Sequence, residues 1–364
     1  MFFLLFAAVA GKLLAVIEVA REPTCYPRSV FEFSGEEDLQ NRGQLHWTGV
    51  KQEETLAAVV RDRYFEVFKD NFRDNSTVFV KNRQSAIDAI KVQLNTVFRK
   101  EMFQELKVLD SEDYGLSPEV HCDKLKHLLL KNLEKFKEHE LFTQITKNTE
   151  LGKLLGEVTV EKVYNLGDFI LSYEEQMLNL SLGLSDESKN LAKNLYFKYH
   201  EWLLYGSKEQ GKLGLNEIFK KIEEFLQVSV RKGKYQRFLP FMLDEALFLA
   251  ALHMLGLNFD PKPAGSALFL EVHRVSNKEK VRFWNISGYV ESDLCGLECD
   301  LKDLSSHLST LISSKSTRSL CKVSSNTDSN TLNYFIAGSI LLLLILIAKY
   351  YKKIESLFSK NKSD

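Results

Sequence analysis

Ile17–Pro27 reads IEVAREPTCYP. The residues before it, Leu13-Leu14-Ala15-Val16-Ile17, form an apolar, partly β-branched run of the kind that makes a buried strand. The run ends in a turn carrying Arg21, Glu22, Pro23, Cys25 and Pro27. A buried strand that stops in such a turn is a common place for α/β enzymes to put their chemistry. This turn sets an acid beside its arginine, adds a lone thiol and has no histidine.

Outward from this strand, the chain alternates strands and helices at both ends of its globular part. Val59–Asp70 has a helical pattern, Ser76–Val80 alternates like a strand, and Ser85–Phe98 reads as the next helix. Cys122–Thr143 reads as one charged helix with Leu125, Leu128, Leu129 and Leu133 on one face. Asp186–Leu204 and Gly214–Val228 are further helices; in the latter, Leu215, Ile218, Phe219, Ile222 and Leu226 keep helical spacing. Phe238–Met242 reads as a second buried strand, followed by a helix over Glu245–Leu257. Ser266–His273 and Lys280–Ser287 pair as strands around the turn at Ser276. The pattern predicts an α/β sheet domain interrupted by a helical insertion.

The ends carry a different message. Residues 1–10, MFFLLFAAVA, finish in the A-x-A pattern of a signal peptide; the alternative is a buried first strand. Residues 332–351 hold the uncharged run Leu332–Ala348, long enough to span a bilayer with its flanking tyrosines. Lys349, Lys352 and Lys353 follow it, so the positive-inside rule puts the tail, 352–364, in the cytosol. Ser316–Asn330 is rich in Ser, Thr and Asn, and reads as a stalk over 316–331. Residues 11–315 then form a lumenal domain. Lys360 and Lys362 stand in the K-x-K-x-x spacing of a dilysine retrieval signal, or match it by chance in a basic tail. The short span suits the thin bilayer of the endoplasmic reticulum. These features predict a single-pass membrane protein of the early secretory pathway, with a coat-protein receptor as partner of the tail. The lysosome and the cell surface are the alternative destinations.

A net charge of −1 over 364 residues offers no nucleic-acid surface. The five cysteines, Cys25, Cys122, Cys295, Cys299 and Cys321, leave at least one thiol free or paired between chains. Cys295 and Cys299 are close enough in sequence to close a tight local loop. Asn75, Asn179 and Asn285 open glycosylation sequons.

Gly43-Gln-Leu-His-Trp-Thr-Gly-Val-Lys-Gln52, with Leu56, Arg61, Arg63 and Tyr64, resembles the segment G-Q-L-T-x-x-G-x-x-Q…L…R-x-R-Y of the histidine acid phosphatases. The likeness runs from about Lys12 to Cys321, and its middle is loose. It implies a phosphoglycerate-mutase-like fold: a central, mostly parallel sheet with helices on both faces and a helical cap over about 105–230. It also implies a Cys122–Cys321 disulfide, and agrees with a Cys295–Cys299 pair.

In that family the first strand ends in R-H-G-x-R-x-P, whose histidine takes the phosphoryl group. On this alignment Arg21 matches the first arginine and Pro27 the proline. Glu22 replaces the nucleophile, Pro23 the glycine and Cys25 the second arginine. Lys81 stands for a later phosphate-binding arginine. Leu243 replaces the histidine of the distal H-D pair, while Asp244, matching the proton donor, is kept. His121 lies near the family's remaining basic histidine.

These changes act against phosphoryl transfer, which needs an in-line nucleophile and cations around the equatorial oxygens. A carboxylate at position 22 repels an incoming dianion. Arg21 and Lys81 are offset by Glu22 and Asp244, so the four positions sum to neutral. A cysteine phosphatase needs C-x5-R, and the sixth residue after Cys25 is Phe31. No metal-ligand motif is present, and neither a metal nor a cofactor is expected.

Plainer roles stand beside these. Asp244 fits the N-cap of the helix starting at Glu245. Glu22 fits a solvated turn residue paired with Arg21, and Lys81 a surface charge or a partner of Asp244. The reading is therefore a pseudophosphatase that binds a lumenal protein or a small ligand. A hydrolase of altered chemistry using Glu22 and Asp244, or residual acid phosphatase activity, is the alternative.

Overall fold

A computed structural model describes residues 11–28, 40–68, 78–81, 83–98, 106–109, 122–178, 180, 182–204, 207–232, 237–257 and 265–322. The segments expected as signal peptide (1–10) and membrane span (332–351) lie outside them. So do Lys360 and Lys362, Asn75, Asn179 and His121. Among the described residues no helix is long and apolar enough to cross a membrane.

The opening run is the central strand. β1 spans Lys12–Arg21 and is buried over its last seven residues. It lies between β4 (Phe238–Leu243) and β5 (Ala267–Val275). β2 (Val78–Lys81) and β3 (Leu106–Leu109) extend the sheet beyond β4. β6 (Lys278–Asn285) and β7 (Gly288–Val290) extend it beyond β5, and β8 (Cys299–Asp300) pairs with β6.

The sheet is mixed rather than mostly parallel. β3, β2, β4 and β1 run parallel. β5 turns antiparallel to β1, and every later pairing is antiparallel. Ser276 and Asn277 both adopt positive φ, 48° and 65°, which lets β5 fold straight back into β6 and makes that pairing antiparallel. The parallel half, whose strands end together, is the half that builds a site.

Helices cover both faces, as expected. α1 (Trp47–Phe68) and α2 (Gln84–Phe98) pack Leu56, Val60, Ala89 and Ile90 against Val16 and Ala20 of β1. The opposite face buries Ala15, Ile17 and Val19 in a second core. That core takes α3 (Asp123–Phe136), and it takes Leu215, Ile218, Phe219, Ile222 and Leu226 from a later helix, α8 (Lys208–Lys232).

The segment expected as one helix over 122–143 is two. α3 stops at Phe136, and α4 (Glu140–Lys147) starts after His139, whose Nδ1 accepts from Leu141 N at 3.1 Å. No Pro or Gly marks this break; an imidazole caps it. α5 (Thr149–Leu155), α6 (Val160–Glu175) and α7 (Asp186–Leu204) complete a cap with its own apolar core of Phe136, Ile145, Val163, Leu166 and Leu195. β3 lies in the sheet, so the cap follows it rather than starting at 105.

α9 (Glu245–Met254) follows β4 directly, and α10 (Leu301–Leu311) and α11 (Thr317–Cys321) finish the described chain. The first residues of the expected stalk are thus helical. Both expected disulfides are present, Cys122–Cys321 and Cys295–Cys299.

Candidate functional site

Three parallel strands, β1, β4 and β2, end side by side. Glu22 N donates to Leu243 O at 2.7 Å, which carries the pairing of β1 with β4 one residue past the strand. The turn after β1 is braced from α1. Gln52 Oε1 accepts from Thr24 N at 2.9 Å and from Thr24 Oγ1 at 3.0 Å. Thr24 O accepts from His46 N at 3.1 Å. A Cβ at position 49 would sit 2.2 Å from Thr24 O, so only glycine lets α1 come this close. The Gly43–Gln52 segment therefore shapes the turn.

Glu22 is not solvated. It is 4% exposed and held by residues that the alignment did not single out. Arg28 Nη2 donates to Glu22 Oε2 at 2.8 Å. Arg83 Nη1 stands 3.7 Å from the same oxygen, and Ser85 Oγ donates to Oε1. Burial alone raises a carboxyl, but Arg28, Arg83 and Ser85 outweigh it and hold Glu22 below its ordinary value. The expected Glu22–Arg21 pair is thus replaced by a Glu22–Arg28 pair.

Arg21 turns the other way, toward the cap. Its Nη2 lies 3.2 Å from Glu245 Oε2 and 3.4 Å from Glu175 Oε1. Tyr196 of α7 donates to the same Glu245 oxygen at 2.7 Å.

Lys81 is no surface charge. It is 2% exposed and forms an ion pair with Asp244. Asp244 also caps α9: its Oδ1 accepts from Leu247 N at 3.0 Å. Both plain roles for Asp244 and Lys81 therefore hold together. Arg83 Nη2 stands 3.7 Å from Asp244 Oδ2, which links this pair to Glu22. Leu243 is buried in the apolar core and presents no polar atom.

Cys25 is free and buried. Its Sγ lies 3.3 Å from Pro23 O and 3.9 Å from Glu22 Oε1. Burial, with Glu22 adding to it, pushes the thiol up to about 12. A thiol so placed is neither a nucleophile nor open to a bond between chains. Asn285 ends β6, and its Oδ1 accepts from Ser287 N at 2.9 Å and Gly288 N at 3.1 Å.

A cavity opens between the β1 turn and the cap, lined by Arg21, Glu22, Arg28, Asp168, Glu175 and Glu245 among others. Among the described residues no histidine lines it. His200 of α7 packs instead against Tyr164 and Tyr196, where burial, then Arg28, pulls it down to about 3. Across the whole cleft, Arg21, Arg28, Lys81 and Arg83 face Glu22, Asp168, Glu175, Asp244 and Glu245. Arg21, Lys81, Glu22 and Asp244 still sum to neutral; the residues added around them are two arginines and three carboxyls, of which burial raises Glu175 to about 7. Among the described residues no cluster of His, Cys, Asp or Glu could hold a metal ion.

Arg28, Arg83, Ser85, Asp168, Glu175 and Glu245 were not identified from sequence as site residues. Arg28 sits one residue past the family motif, and Arg83 and Ser85 just past β2, so their positions were readable. The cap acids are distant in sequence and carry no local signal.

No family sequence profile matches the chain, and no curated protein sequence matches it. Solved structures do. The Hafnia alvei phytase, crystallised with tartrate, superposes with a TM-score of 0.64 at 14% identity, covering 87% of this chain and 100% of that one. The Citrobacter braakii phytase gives 0.63 at 12% identity, covering 86% and 100%. The Bifidobacterium longum multiple inositol polyphosphate phosphatase, bound to inositol hexasulfate, gives 0.55 at 9% identity, covering 81% and 92%. These neighbours are histidine acid phosphatases. The chain has their fold, a mixed α/β sheet with a helical cap.

Proposed function

We propose that the chain is a membrane-anchored, lumenal pseudophosphatase, a histidine acid phosphatase fold that binds rather than hydrolyses. The observation that carries this reading is the clamp on Glu22. The residue aligned with the nucleophile is a carboxylate held by Arg28 at 2.8 Å, by Arg83 and by Ser85. It cannot attack phosphorus while it serves as the counter-ion of two guanidinium groups, and it repels an incoming phosphate dianion. The cations aligned with the phosphate binders, Arg21 and Lys81, each have carboxylates of their own.

The pairing of Glu22 and Asp244 as acid and base for another hydrolysis draws no support from this geometry. Each carboxylate is engaged by buried or half-buried cations, and Asp244 also caps a helix.

The test is hydrolysis of p-nitrophenyl phosphate and of phytate by the purified protein at acid pH. The protein is assayed beside the variant Glu22→His/Cys25→Arg/Lys81→Arg/Leu243→His. The unmodified protein is expected to show no turnover above buffer. Turnover by it overturns the reading.

The address is a proposal from sequence: a type I single-pass protein, glycosylated on Asn75, Asn179 and Asn285, and returned to the endoplasmic reticulum through Lys360 and Lys362. Replacing both lysines by alanine releases a tagged protein to the cell surface or lysosome on this account. An unchanged distribution removes the retrieval claim.

A further inference from the structure

The cavity between the β1 turn and the cap holds only about 30 Å³, where a single water needs roughly 10–15 Å³. A far larger cavity, about 740 Å³, opens at the other end of the central strand. Arg21 ends β1 at the cleft, while Lys12 at its start pairs with Arg274, which lines the larger cavity. The 10 residues of β1, at roughly 3.3 Å each, keep the two about 30 Å apart.

This volume lies in the range of ligand sites, roughly 300–1,000 Å³. α8, the β5–β6 hairpin and the first turn of α10 wall it. They meet here because Leu226 of α8 is buried in the core and Leu301 of α10 packs on that core. The same two leucines are the apolar part of the lining. Beside them Asn277 of the hairpin, Gln227 and Ser305 offer amide and hydroxyl groups.

Most of the charged lining is already engaged. Arg274 pairs with Glu279 at 3.1 Å. Asp300 pairs with Lys280 at 2.9 Å, and its side chain leaves the N-terminus of α10 uncapped. Glu223 accepts from Gln227 at 2.7 Å, and its other oxygen is buried. Lys278 and Lys302 differ. Both are exposed, and neither has a hydrogen bond or ion pair with a described side chain; Lys278 only adds a more distant pull on Asp300. Asp303 is the carboxylate of the lining that also lacks such a contact, with Lys280 in its neighbourhood. Two available ammonium groups beside a positive helix end thus stand against one available carboxylate.

We propose that this groove docks an extended segment of a partner protein in which a leucine-like side chain is flanked by acidic residues. The apolar side chain covers Leu226 and Leu301, and the acids meet Lys278 and Lys302. Asn277, Gln227 and Ser305 take the peptide groups of the segment. A bare hydrocarbon chain would cover these polar groups without pairing them, which costs free energy. The groove is separate from the cleft and stands whether or not phosphate is turned over there.

The test is fluorescence anisotropy of labelled, end-blocked peptides on the detergent-purified full chain. The probes are Gly-Glu-Leu-Glu-Gly, Gly-Lys-Leu-Lys-Gly and Gly-Glu-Gly-Glu-Gly. We expect saturable binding of the first, weakened by salt. The second should bind roughly three- to tenfold more weakly, since its lysines meet Lys278 and Lys302. The third, without the apolar side chain, should lose about tenfold or more. Lys278→Glu/Lys302→Glu changes two exposed positions, and it should reverse the order of the first two peptides at an unchanged melting temperature. A reversed preference is a gain that a misfolded protein does not show. Absence of saturable binding of the first peptide overturns the proposal, and so does an unchanged order in the charge-reversed variant. Free glutamate binding as tightly as the peptide overturns it in favour of a small anion. Self-association of the chain that the same variant abolishes overturns it in favour of a second copy.

Discussion

Arg28 donates to Glu22 at 2.8 Å from a position six residues further along the same turn. The chain thereby supplies its own cation to the buried carboxylate that follows β1. Arg83 approaches the same carboxylate from the end of β2, at 3.7 Å. The cations around this cleft are paired with the chain's own carboxylates.

Removing Arg28 tests that closure. Arg28→Ala leaves Glu22 buried with Arg83, Ser85, the Cys25 thiol and the nearby charge of Lys81. The loss should be about 2 kcal/mol, less than for a fully buried pair because the Arg28 side chain is 34% exposed. Glu22→Gln in the same background should restore most of it. Urea unfolding of the two variants measures both.

Lys81 and Asp244 should behave as a unit. Lys81→Met leaves Asp244 with only the more distant Arg83 and should cost roughly 3–5 kcal/mol. Asp244→Asn keeps the cap oxygen for Leu247 N but removes the charge opposite Lys81. The double variant should be far less damaged than the sum of the two, which a double-mutant cycle reads directly.

The strand's middle predicts a dependence on pH. Glu18 of β1 and Glu53 of α1 are both fully buried. Gln93 donates to Glu18, and neither oxygen of Glu53 has a partner. Burial raises Glu18 to about 8, with Gln93 opposing; burial, then Glu18, raises Glu53 well above its ordinary value. The folded state thus binds more protons than the unfolded one from about pH 4.5 upward, and stability is lost as pH rises through 8. The melting temperature should fall between pH 5 and 8, and Glu18→Gln/Glu53→Gln should flatten that slope.

How far the sequence carried this account depends on where each signal lay. The apolar run of β1, the Lys81–Asp244 partnership and the cap on α9 were legible, because each follows from a strand end meeting a helix start. The partners of Glu22 were not. Arg28 lies beyond the turn that Gln52 and Gly49 brace and Arg83 lies beyond β2, and composition does not show that the two reach one carboxylate. Asp168 and Glu175 reach the site only because the cap packs over the sheet, and no local pattern reports that packing. The antiparallel half was half-read: the hairpin at Ser276 was visible, but the side of β1 that it joins was not.

Cys25 should be silent toward iodoacetamide in the native protein and react fully once unfolded. Its burial and its neighbour Glu22 both oppose the thiolate. Rapid labelling of the folded chain would contradict the geometry of the turn.

The central claim is that the cations of this cleft are already consumed by the chain's own carboxylates. Titration of the purified protein with vanadate, a phosphate analogue, measures this most directly. The account predicts no saturable heat and no oxyanion between Arg21 and Lys81 in a soaked crystal. A tightly held vanadate there, with an attacking atom in line, contradicts it.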